Sequence, residues 1–514
     1  MSEFVPYAAS IRDFAETQPD KDALIIHTPH KREAYTYRQY NEKMDAFAAE
    51  MATCGVDAES GVIVVSPNSS AAAIASSAAW RLGAFVAPIS VKSTQSDLDA
   101  VIANMKEAKS KIFVLSDHVL AKKNAKNISL ESLHKNQAQG LIRDHAPSPA
   151  RAIPSGGTTG RAKLIVDETP WGRNSDATII RALNTFGWAD ADRILVYSPL
   201  YHNVGQTLTH LALMQGQTAV LMDRFDAARA QTIIQNERIE FFFAVPTHIQ
   251  RWMDLPGLNK ENFATVKSMY HAGAICSKAL KEKWIAFLGA DRIWELFGAT
   301  DGTGLTIIHG EEWLRHKGSV GRPFSSDIRI LDDKLNSVPN GEVGQIYMKM
   351  HGAAADDPGF KYLGAPTPLA TPEGYRTVGD MGWLDEDGYL FIADRRTDMI
   401  ITGGANVFPA EVEAALRRHP GIGEVAVIGL PDEKWGRRVH AIIVAARPDA
   451  APTPSEIDSF MSTEIVAYKK PKTYSFRHSL LYTDVDKLDR KRLIEECLSG
   501  EATDDSATVL KNLT

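Results

Sequence analysis

Along the first 320 residues, apolar positions follow a helical period in some stretches and form short continuous runs in others. Segment 34–56 (AYTYRQYNEKMDAFAAEMATCGV) has apolar residues at helical spacing and ends near Gly55, which favours a helix C-cap. A buried strand, GVIVVSPN, follows at 61–68, and segment 72–90 (AAIASSAAWRLGAFVAPIS) repeats this order. Helices that alternate with strands predict an α/β fold of mostly parallel, helix-covered sheets.

The pattern changes after about Gly318. Segment 318–349 reads as short strands joined by Asp, Asn, Pro and Gly turns, which predicts an antiparallel, barrel-like piece. From Pro409 the order becomes helix, strand, strand, helix, typical of a small α+β unit. We therefore predict two α/β subdomains in 1–317 and a β-rich subdomain in 318–394, which together form a large domain 1–394. A small C-terminal domain at 395–498 and a flexible polar tail at 499–514 complete the predicted organisation.

Composition narrows the functional classes. The 514 residues are 44% hydrophobic and 24% charged, as in a folded soluble protein. A net charge of -7 gives no general attraction to nucleic acid. The three widely spaced cysteines favour a reducing compartment, and the first residues lack the pattern of a signal peptide, so we expect a cytoplasmic protein. Segment 69–90 carries Arg81 and is rich in Ala and Ser, which favours a packed helix and strand over a membrane span.

A glycine-rich loop is the first candidate for chemistry. Segment 153–166 (IPSGGTTGRAKLIV) combines glycine amides, two threonine hydroxyls and Lys163, a composition that favours binding of an anion such as phosphate. Its spacing fits neither a Walker A loop nor a dinucleotide fingerprint. The loop alone is also compatible with a plain turn between strands.

Five motifs in order resemble the adenylate-forming superfamily, which includes acyl- and aryl-coenzyme A synthetases, adenylation domains and luciferases. They are SGGTTGRAK (155–163), ELFGATDGTG (295–304), YRTVGDMGWLDEDGYL (375–390), DRRTDMIITGGANVFPAEVE (394–413) and DKLDRKRL (486–493). The resemblance spans nearly the whole chain. It implies the same fold, with a mobile C-terminal lid, and an ATP-dependent reaction in which a carboxylate attacks the α-phosphate to give an acyl-adenylate and pyrophosphate.

The resemblance also implies roles for individual residues. ATP is expected to be held by Ser155, Gly156, Gly157, Thr158, Thr159, Gly160, Lys163, Phe297, Asp380 and Arg395. The loop would bind the β- and γ-phosphates, Phe297 would stack on adenine, and the two oxygens of Asp380 would accept the ribose hydroxyls. The catalytic set would be Lys487, which bridges carboxylate and α-phosphate, together with Thr300 at the α-phosphate and His202. Asp301 would hold Mg²⁺.

The sequence departs from the superfamily at several of these positions. Asp486 stands immediately before Lys487, where glycine is usual, and Asp301 replaces a glutamate. Arg161 and Ala162 replace the more usual x-Pro of the phosphate loop. Thr397 occupies a hinge position that is commonly aspartate or lysine. These departures remove none of the charges that the reaction requires.

Two half-reactions explain the expected lid. Lys487 must lie over the adenylate in the first step, and a thiol must reach the same carbonyl in the second. In the superfamily the C-terminal domain rotates about a hinge, here Asp394 to Thr397, and presents a glycine turn to coenzyme A. Gly403 and Gly404 are the corresponding coenzyme A candidates, because glycine lets backbone approach a ligand closely.

The acyl pocket is expected to be apolar. By resemblance it is lined by His202 at a gate position and by Val204, Val245, Ala272 and Gly273, with no evident cation for a second carboxylate. This favours a hydrophobic monocarboxylic acid that is bulky or steroidal, fatty or aryl, and the motifs look most like bile-acid coenzyme A ligases. The alternatives are an adenylation enzyme that loads a carrier protein, or a non-catalytic relative. ATP, Mg²⁺ and coenzyme A are the implied cofactors and co-substrate, and monomer or homodimer is left open.

Overall fold

The structure, a computed structural model, describes residues 3–117, 125–135, 144–155, 163–168, 171–173, 177–354, 359–447, 450–483 and 486–499. Gly156, Gly157, Thr158, Thr159 and Gly160 of the predicted phosphate loop lie outside these residues, as do 500–514 of the predicted tail. Over the described part of the chain, no helix is both long and apolar enough to cross a bilayer. The three cysteines carry free thiols.

The first sheet has seven strands among the described residues. In spatial order they are Phe360–Leu363, Lys163–Asp167, Arg151–Ser155, Phe85–Ile89, Ser60–Val65, Lys111–Leu115 and Lys126–Ile128. The last five run parallel, and Lys163–Asp167 pairs antiparallel with both of its neighbours. Strand Phe360–Leu363 lies in the 318–394 segment yet pairs with this sheet, so the prediction of one separate β-rich piece was wrong for these four residues.

The second sheet has thirteen described strands. In spatial order they are Ser326–Leu331, Gly344–Met350, Arg376–Leu384, Leu390–Arg395, Ser319–Pro323, Leu305–His309, Ile293–Gly298, Ser268–His271, Phe241–Ala244, Arg193–Val196, Thr218–Met222, Asp22–His27 and Arg32–Thr36. The six from Ile293–Gly298 to Asp22–His27 are parallel. The β-rich segment extends one end of this sheet through antiparallel pairs. Val5–Pro6 and Gly172–Arg173 form a small separate pair.

Helices cover these sheets. Those of the large domain are Tyr7–Thr17, Tyr37–Thr53, Ser70–Arg81, Gln95–Met105, Leu130–Lys135, Thr178–Thr185, Asn203–Met214, Ala227–Asn236, Pro246–Met253, Lys278–Leu288 and Gly310–Trp313. Capping boxes of Thr36 with Gln39 and of Thr94 with Asp97 begin two of them. The alanine-rich helix Ser70–Arg81 is buried in the core, where Arg81 pairs with Asp45 and Asp144. The packed helix predicted for segment 69–90 is therefore confirmed.

The C-terminal part has a sheet and a core of its own. Its described strands are Ala405–Val407, Ile400–Thr402, Gly436–Ala445, Ile422–Asp432 and Thr473–Phe476, and its helices are Pro409–Leu416, Pro454–Glu464 and Arg490–Ser499. Helix Arg490–Ser499 extends one residue into the predicted tail. Val412, Leu416 and Ile443 belong to a buried cluster distinct from the cores of the large domain. The predicted fold class, a large α/β domain followed by a small α+β domain, is confirmed.

Candidate active site

Four neighbouring strands of the second sheet bring the predicted site segments together. They are adjacent and all run parallel: Ile293–Gly298, Ser268–His271, Phe241–Ala244 and Arg193–Val196. The carboxyl ends of parallel strands meet at one edge, where ligands bind in open α/β sheets. Asp301, Gly273, Val245 and His202 all follow the ends of these strands. Topology thus assembles residues that are spread over about 100 positions of sequence.

Lys487 of the C-terminal domain reaches this edge. A Cβ atom built on Gly273 would lie 3.3 Å from Lys487 Cε, 3.6 Å from Lys487 Nζ and 3.6 Å from Val245 Cγ1. Burial lowers the pKa of Lys487, the positive charge of Arg395 lowers it further, and Asp380 opposes both. The structure therefore joins the predicted catalytic lysine with two predicted acyl-pocket residues, Gly273 and Val245.

His202 stands at the same place and is uncharged. Burial lowers its pKa to about 4, and the charge of Lys487 adds to the shift. The residue precedes helix Asn203–Met214, and its N–H donates to Pro199 O at 2.9 Å. Val204 and Ala272 pack partly buried against the main core, while Val245 is buried. Neutral His202 and apolar Val245 thus lie near the Lys487 ammonium.

Asp380 and Arg395 face one another on adjacent antiparallel strands. They are register partners, and Arg395 Nε lies 3.8 Å from Asp380 Oδ1. Burial raises the pKa of Asp380 to about 6, although the charge of Arg395 opposes the shift, and Asp394 and Asp398 add to it. A half-buried carboxylate whose charge is incompletely compensated suits the acceptance of hydroxyl hydrogen bonds.

Asp301 is held by two hydroxyl groups. Thr303 donates to Oδ1 from its side chain at 2.7 Å, and Tyr362 donates to Oδ2 at 2.6 Å. Lys163 Nζ lies 3.8 Å from the centre of the Tyr362 ring. Burial lowers the pKa of Lys163, while the carboxylate of Asp301 opposes this shift. Sequence reasoning missed Tyr362, whose strand contains no motif; only its pairing with strand Lys163–Asp167 brings it here.

The remaining predicted ATP residues are placed less tightly. Ser155 and Lys163 are register partners at the two ends of the predicted phosphate loop. Phe297 is half-buried and packs against the antiparallel end of the second sheet, and Thr300 is exposed. Their expected contacts with adenine and the α-phosphate stay predictions.

The predicted coenzyme A turn lies within the C-terminal domain. Gly403 and Gly404 join strands Ile400–Thr402 and Ala405–Val407 with φ angles of 56° and 83°. Gly403 N–H donates to Trp435 O at 2.9 Å, and a Cβ on Gly403 would lie 2.7 Å from the Trp435 ring. Glycine is required here both by the positive φ and by this close approach.

The predicted hinge contains a buried carboxylate. Asp394 is 4% exposed and accepts the N–H groups of Arg395 and Ala410, each at 2.8 Å. Burial raises its pKa to about 6, although these hydrogen bonds oppose the shift. Asp394 thus ties the last strand of the large domain to the first helix of the small one, while Thr397 is exposed.

Two family models match the chain. The model described as "AMP-binding enzyme" matches residues 11–355, and the one described as "AMP-binding enzyme C-terminal domain" matches residues 411–487. The chain belongs to the AMP-binding enzyme family. This is the predicted adenylate-forming superfamily, and the chain is an acid–thiol ligase of the ATP-dependent, AMP-forming class.

Curated relatives are ligases of this kind. The fatty acid–[acyl-carrier-protein] ligase ScoC of Streptomyces coeruleorubidus is 30% identical over 67% of each chain. The long-chain-fatty-acid–CoA ligase FadD13 of Mycobacterium tuberculosis is 26% identical over 95% of this chain and 97% of its own. The 2-succinylbenzoate–CoA ligase of Listeria monocytogenes is 26% identical over 93% and 97%.

Solved structures share the fold. The o-succinylbenzoate CoA synthetase of Bacillus subtilis, in complex with its acyl-adenylate intermediate, has a TM-score of 0.78 at 22% identity and covers 99% of this chain and 100% of its own. ATP-bound MatB from Rhodopseudomonas palustris has a TM-score of 0.79 at 22% identity, over 95% and 98%. These neighbours support the two-domain architecture.

Proposed function

We propose that this AMP-forming ligase is a cytoplasmic acyl-coenzyme A synthetase for a hydrophobic monocarboxylic acid. One observation supports the proposal most directly: the Lys487 ammonium enters the site beside Gly273 and Val245, next to neutral His202. Both reactants of the first step are anions, so a preorganised cation lowers the barrier where negative charge concentrates. A wall of apolar and neutral groups beside that cation suits an apolar acyl chain.

The other predicted site residues would each bind a different part of the nucleotide. Asp380 would accept the ribose hydroxyls, and Lys163 with the adjoining loop would hold the phosphates that leave as pyrophosphate. Asp301 presents the hard oxygen donors that Mg²⁺ prefers. Its Oδ1 accepts both the N–H and the hydroxyl of Thr303, whereas Oδ2 accepts the Tyr362 hydroxyl and retains a lone pair. When bound there, Mg²⁺ would supply positive charge to the phosphate oxygens.

The proposal is tested by identifying which acid the protein activates and which acceptor receives the acyl group. Purified protein is offered ATP with each of a panel of fatty, aryl and bile acids and with the dicarboxylic acid 2-succinylbenzoate. Coenzyme A or a holo acyl carrier protein is supplied as acceptor, and products are identified by mass. Acyl-coenzyme A from apolar acids is the expected product. Turnover of 2-succinylbenzoate in preference to every apolar acid would refute the monocarboxylate assignment. The bile-acid branch stays a prediction that the same panel decides.

A carrier protein is the second candidate acceptor. The relative ScoC, 30% identical over 67% of this chain, is named as a ligase that loads acyl carrier protein. Acyl transfer to the carrier without acyl-coenzyme A formation would establish this alternative.

The role of Lys487 is tested separately from the acid. In Lys487→Ala we expect acid-dependent pyrophosphate exchange to fall by about 10²- to 10³-fold, because a preorganised charge is lost. Thioester formation from supplied acyl-adenylate should be spared. Lys491→Ala is the matched control, since its side chain is 76% exposed and forms an ion pair with Glu495 one helical turn away. Equal loss of both half-reactions in Lys487→Ala would contradict the assigned role.

A further inference from the structure

Asp486, the residue before Lys487, adopts a backbone conformation that normally selects glycine. Its φ is 55°, in the left-handed region where a Cβ is unfavourable and where Asp and Asn are the best tolerated of the other residues. The superfamily usually has glycine at this position. A left-handed backbone favours glycine, so the aspartate of this chain calls for a role of its side chain.

The side chain of Asp486 contacts the large domain at two points. Oδ1 accepts a hydrogen bond from Arg251 Nη2 at 2.8 Å, and Oδ2 lies 3.1 Å from His248 Nε2. The backbone carbonyl of Asp486 accepts a third hydrogen bond, from Thr247 Oγ1 at 3.0 Å. All three partners belong to helix Pro246–Met253, so one residue of the small domain is bonded to one helix of the large domain.

The helix that receives Asp486 is anchored in the core. Trp252 is fully buried and stacks on Trp284 with ring centres 5.5 Å apart. The His248 ring is stacked on Phe225 at 4.1 Å. These packed rings hold the receiving side still, because their rotation would disturb a close-packed core. When the contact with Asp486 breaks, we therefore expect the C-terminal domain to move and helix Pro246–Met253 to stay in place.

His248 also connects Asp486 to the acyl pocket. Burial lowers the pKa of His248, although Asp486 opposes the shift, so the ring is neutral at pH 7. Its Nδ1 accepts the N–H of Val245 at 3.3 Å, which assigns the ring proton to Nε2 and makes Nε2–H the donor to Asp486. Burial opposes the charge of Asp486, but its hydrogen bond from His248 and the charge of Arg251 outweigh this and lower the pKa of Asp486. Asp486 is thus a carboxylate at pH 7.

We propose that Asp486 is a positioning residue that latches the C-terminal domain to helix Pro246–Met253 and so holds Lys487 in the adenylation arrangement. The inference rests on the proposed function, in which Lys487 serves the first half-reaction. The three hydrogen bonds of Asp486 to Thr247, His248 and Arg251, here called the latch, stabilise that arrangement. All three must break before the small domain can rotate for the thiol step. Asp486 thereby sets the balance between the two half-reactions.

Two substitutions separate the latch from backbone effects. Asp486→Gly keeps the positive φ without strain and removes the side chain, and Asp486→Asn keeps the shape and removes the charge. In both we expect acid-dependent pyrophosphate exchange to fall by about five- to twentyfold, which lies at the lower end of the range for a coupling free energy between sites. Thioester formation from supplied acyl-adenylate should stay equal or become faster. Arg251→Gln, on the other side of the contact, should give the same split, and its combination with Asp486→Asn should add little.

An ion pair between two residues of the C-terminal domain serves as the control. Glu464→Gln removes the same charge from the C-terminal domain, where Glu464 pairs with Arg418 at 2.5 Å, and should change neither half-reaction. Equal loss of both half-reactions in the Asp486 variants, or no loss of exchange, would overturn the proposal. Full additivity of the Asp486 and Arg251 variants would overturn it as well.

A second readout needs no acid substrate. With ATP bound, hydrogen exchange of peptides covering 246–253 and 486–499 should be faster in Asp486→Gly than in the wild type, because the contact opens. Unchanged exchange in these peptides would overturn the latch. If the wild type activates no acid in the panel, the proposed function fails, whereas the exchange result still decides whether Asp486 holds the two domains together.

Discussion

The substitution Gly273→Ala, which adds a single methyl group, is the most direct test of the site. The residue has a φ of 87°, and the Cβ of Gly273→Ala would lie 3.3 Å from Lys487 Cε. Two costs follow. The left-handed conformation costs an alanine about 1–2 kcal/mol, and the crowded Lys487 side chain must shift by a few tenths of an ångström. Val245 Cγ1 would lie at an ordinary contact distance of 3.6 Å, so Val245 can stay in place and the Lys487 side chain is the one that moves.

The chain offers a control that isolates the second cost. Gly257 has a φ of 84°, and a Cβ there would meet nothing within 4 Å. Gly257→Ala should therefore destabilise the fold about as much as Gly273→Ala, by about 1–2 kcal/mol in the free energy of unfolding, and leave catalysis unchanged. Because displacement of a positioned group by 1 Å costs up to about 10²-fold, we expect Gly273→Ala to lower acid-dependent pyrophosphate exchange by about tenfold.

Urea unfolding and exchange kinetics of both variants measure these effects. Gly273→Ala should keep the rate of thioester formation from supplied acyl-adenylate, since Lys487 serves only the first step in our proposal. Exchange in Gly273→Ala equal to that in Gly257→Ala would refute the placement of Lys487 against Gly273.

Two further predictions concern ionisation. Because burial raises the pKa of Asp380 to about 6, the folded state retains a proton that the unfolded state loses near pH 4, and the wild type loses stability as the pH rises through that interval. Asp380→Asn should therefore be more stable than the wild type at pH 7.5, with a gain that vanishes at pH 4, and should bind ATP more weakly; a gain equal at both pH values would contradict the shift. His202 has a pKa of about 4 and is neutral throughout pH 6–8, so His202→Phe should change the magnitude of the pyrophosphate exchange rate but not the shape of its pH profile in that range. A lost inflection near pH 6.5 would show that His202 titrates there.

Some elements of the fold could be predicted because their causes are local. The alternation of helices and strands predicted parallel sheets, and Gly55, with a φ of 98°, follows the end of helix Tyr37–Thr53 as expected. Helical period and a left-handed glycine depend on neighbours within a few positions, so the sequence carries them directly. Strand Phe360–Leu363 was misassigned because its partner, Lys163–Asp167, lies about 200 positions away.

The site shows the same division. The resemblance of the motifs to the superfamily was enough to nominate Asp380, Asp301 and Lys487. Tyr362 was missed, because a tyrosine in a short strand resembles any core residue until the sheet brings its hydroxyl within 2.6 Å of Asp301.

What the sequence by itself determined is the family, the reaction class and the residue types that the reaction uses. Tertiary structure alone decided which groups act on one another. Asp486 appeared in the sequence only as a departure from glycine beside a run of charges. The fold gives it a left-handed backbone and brings it to His248 and Arg251, more than 230 positions away. Contacts at such separation depend on how whole domains pack, and no local pattern of residues encodes that packing.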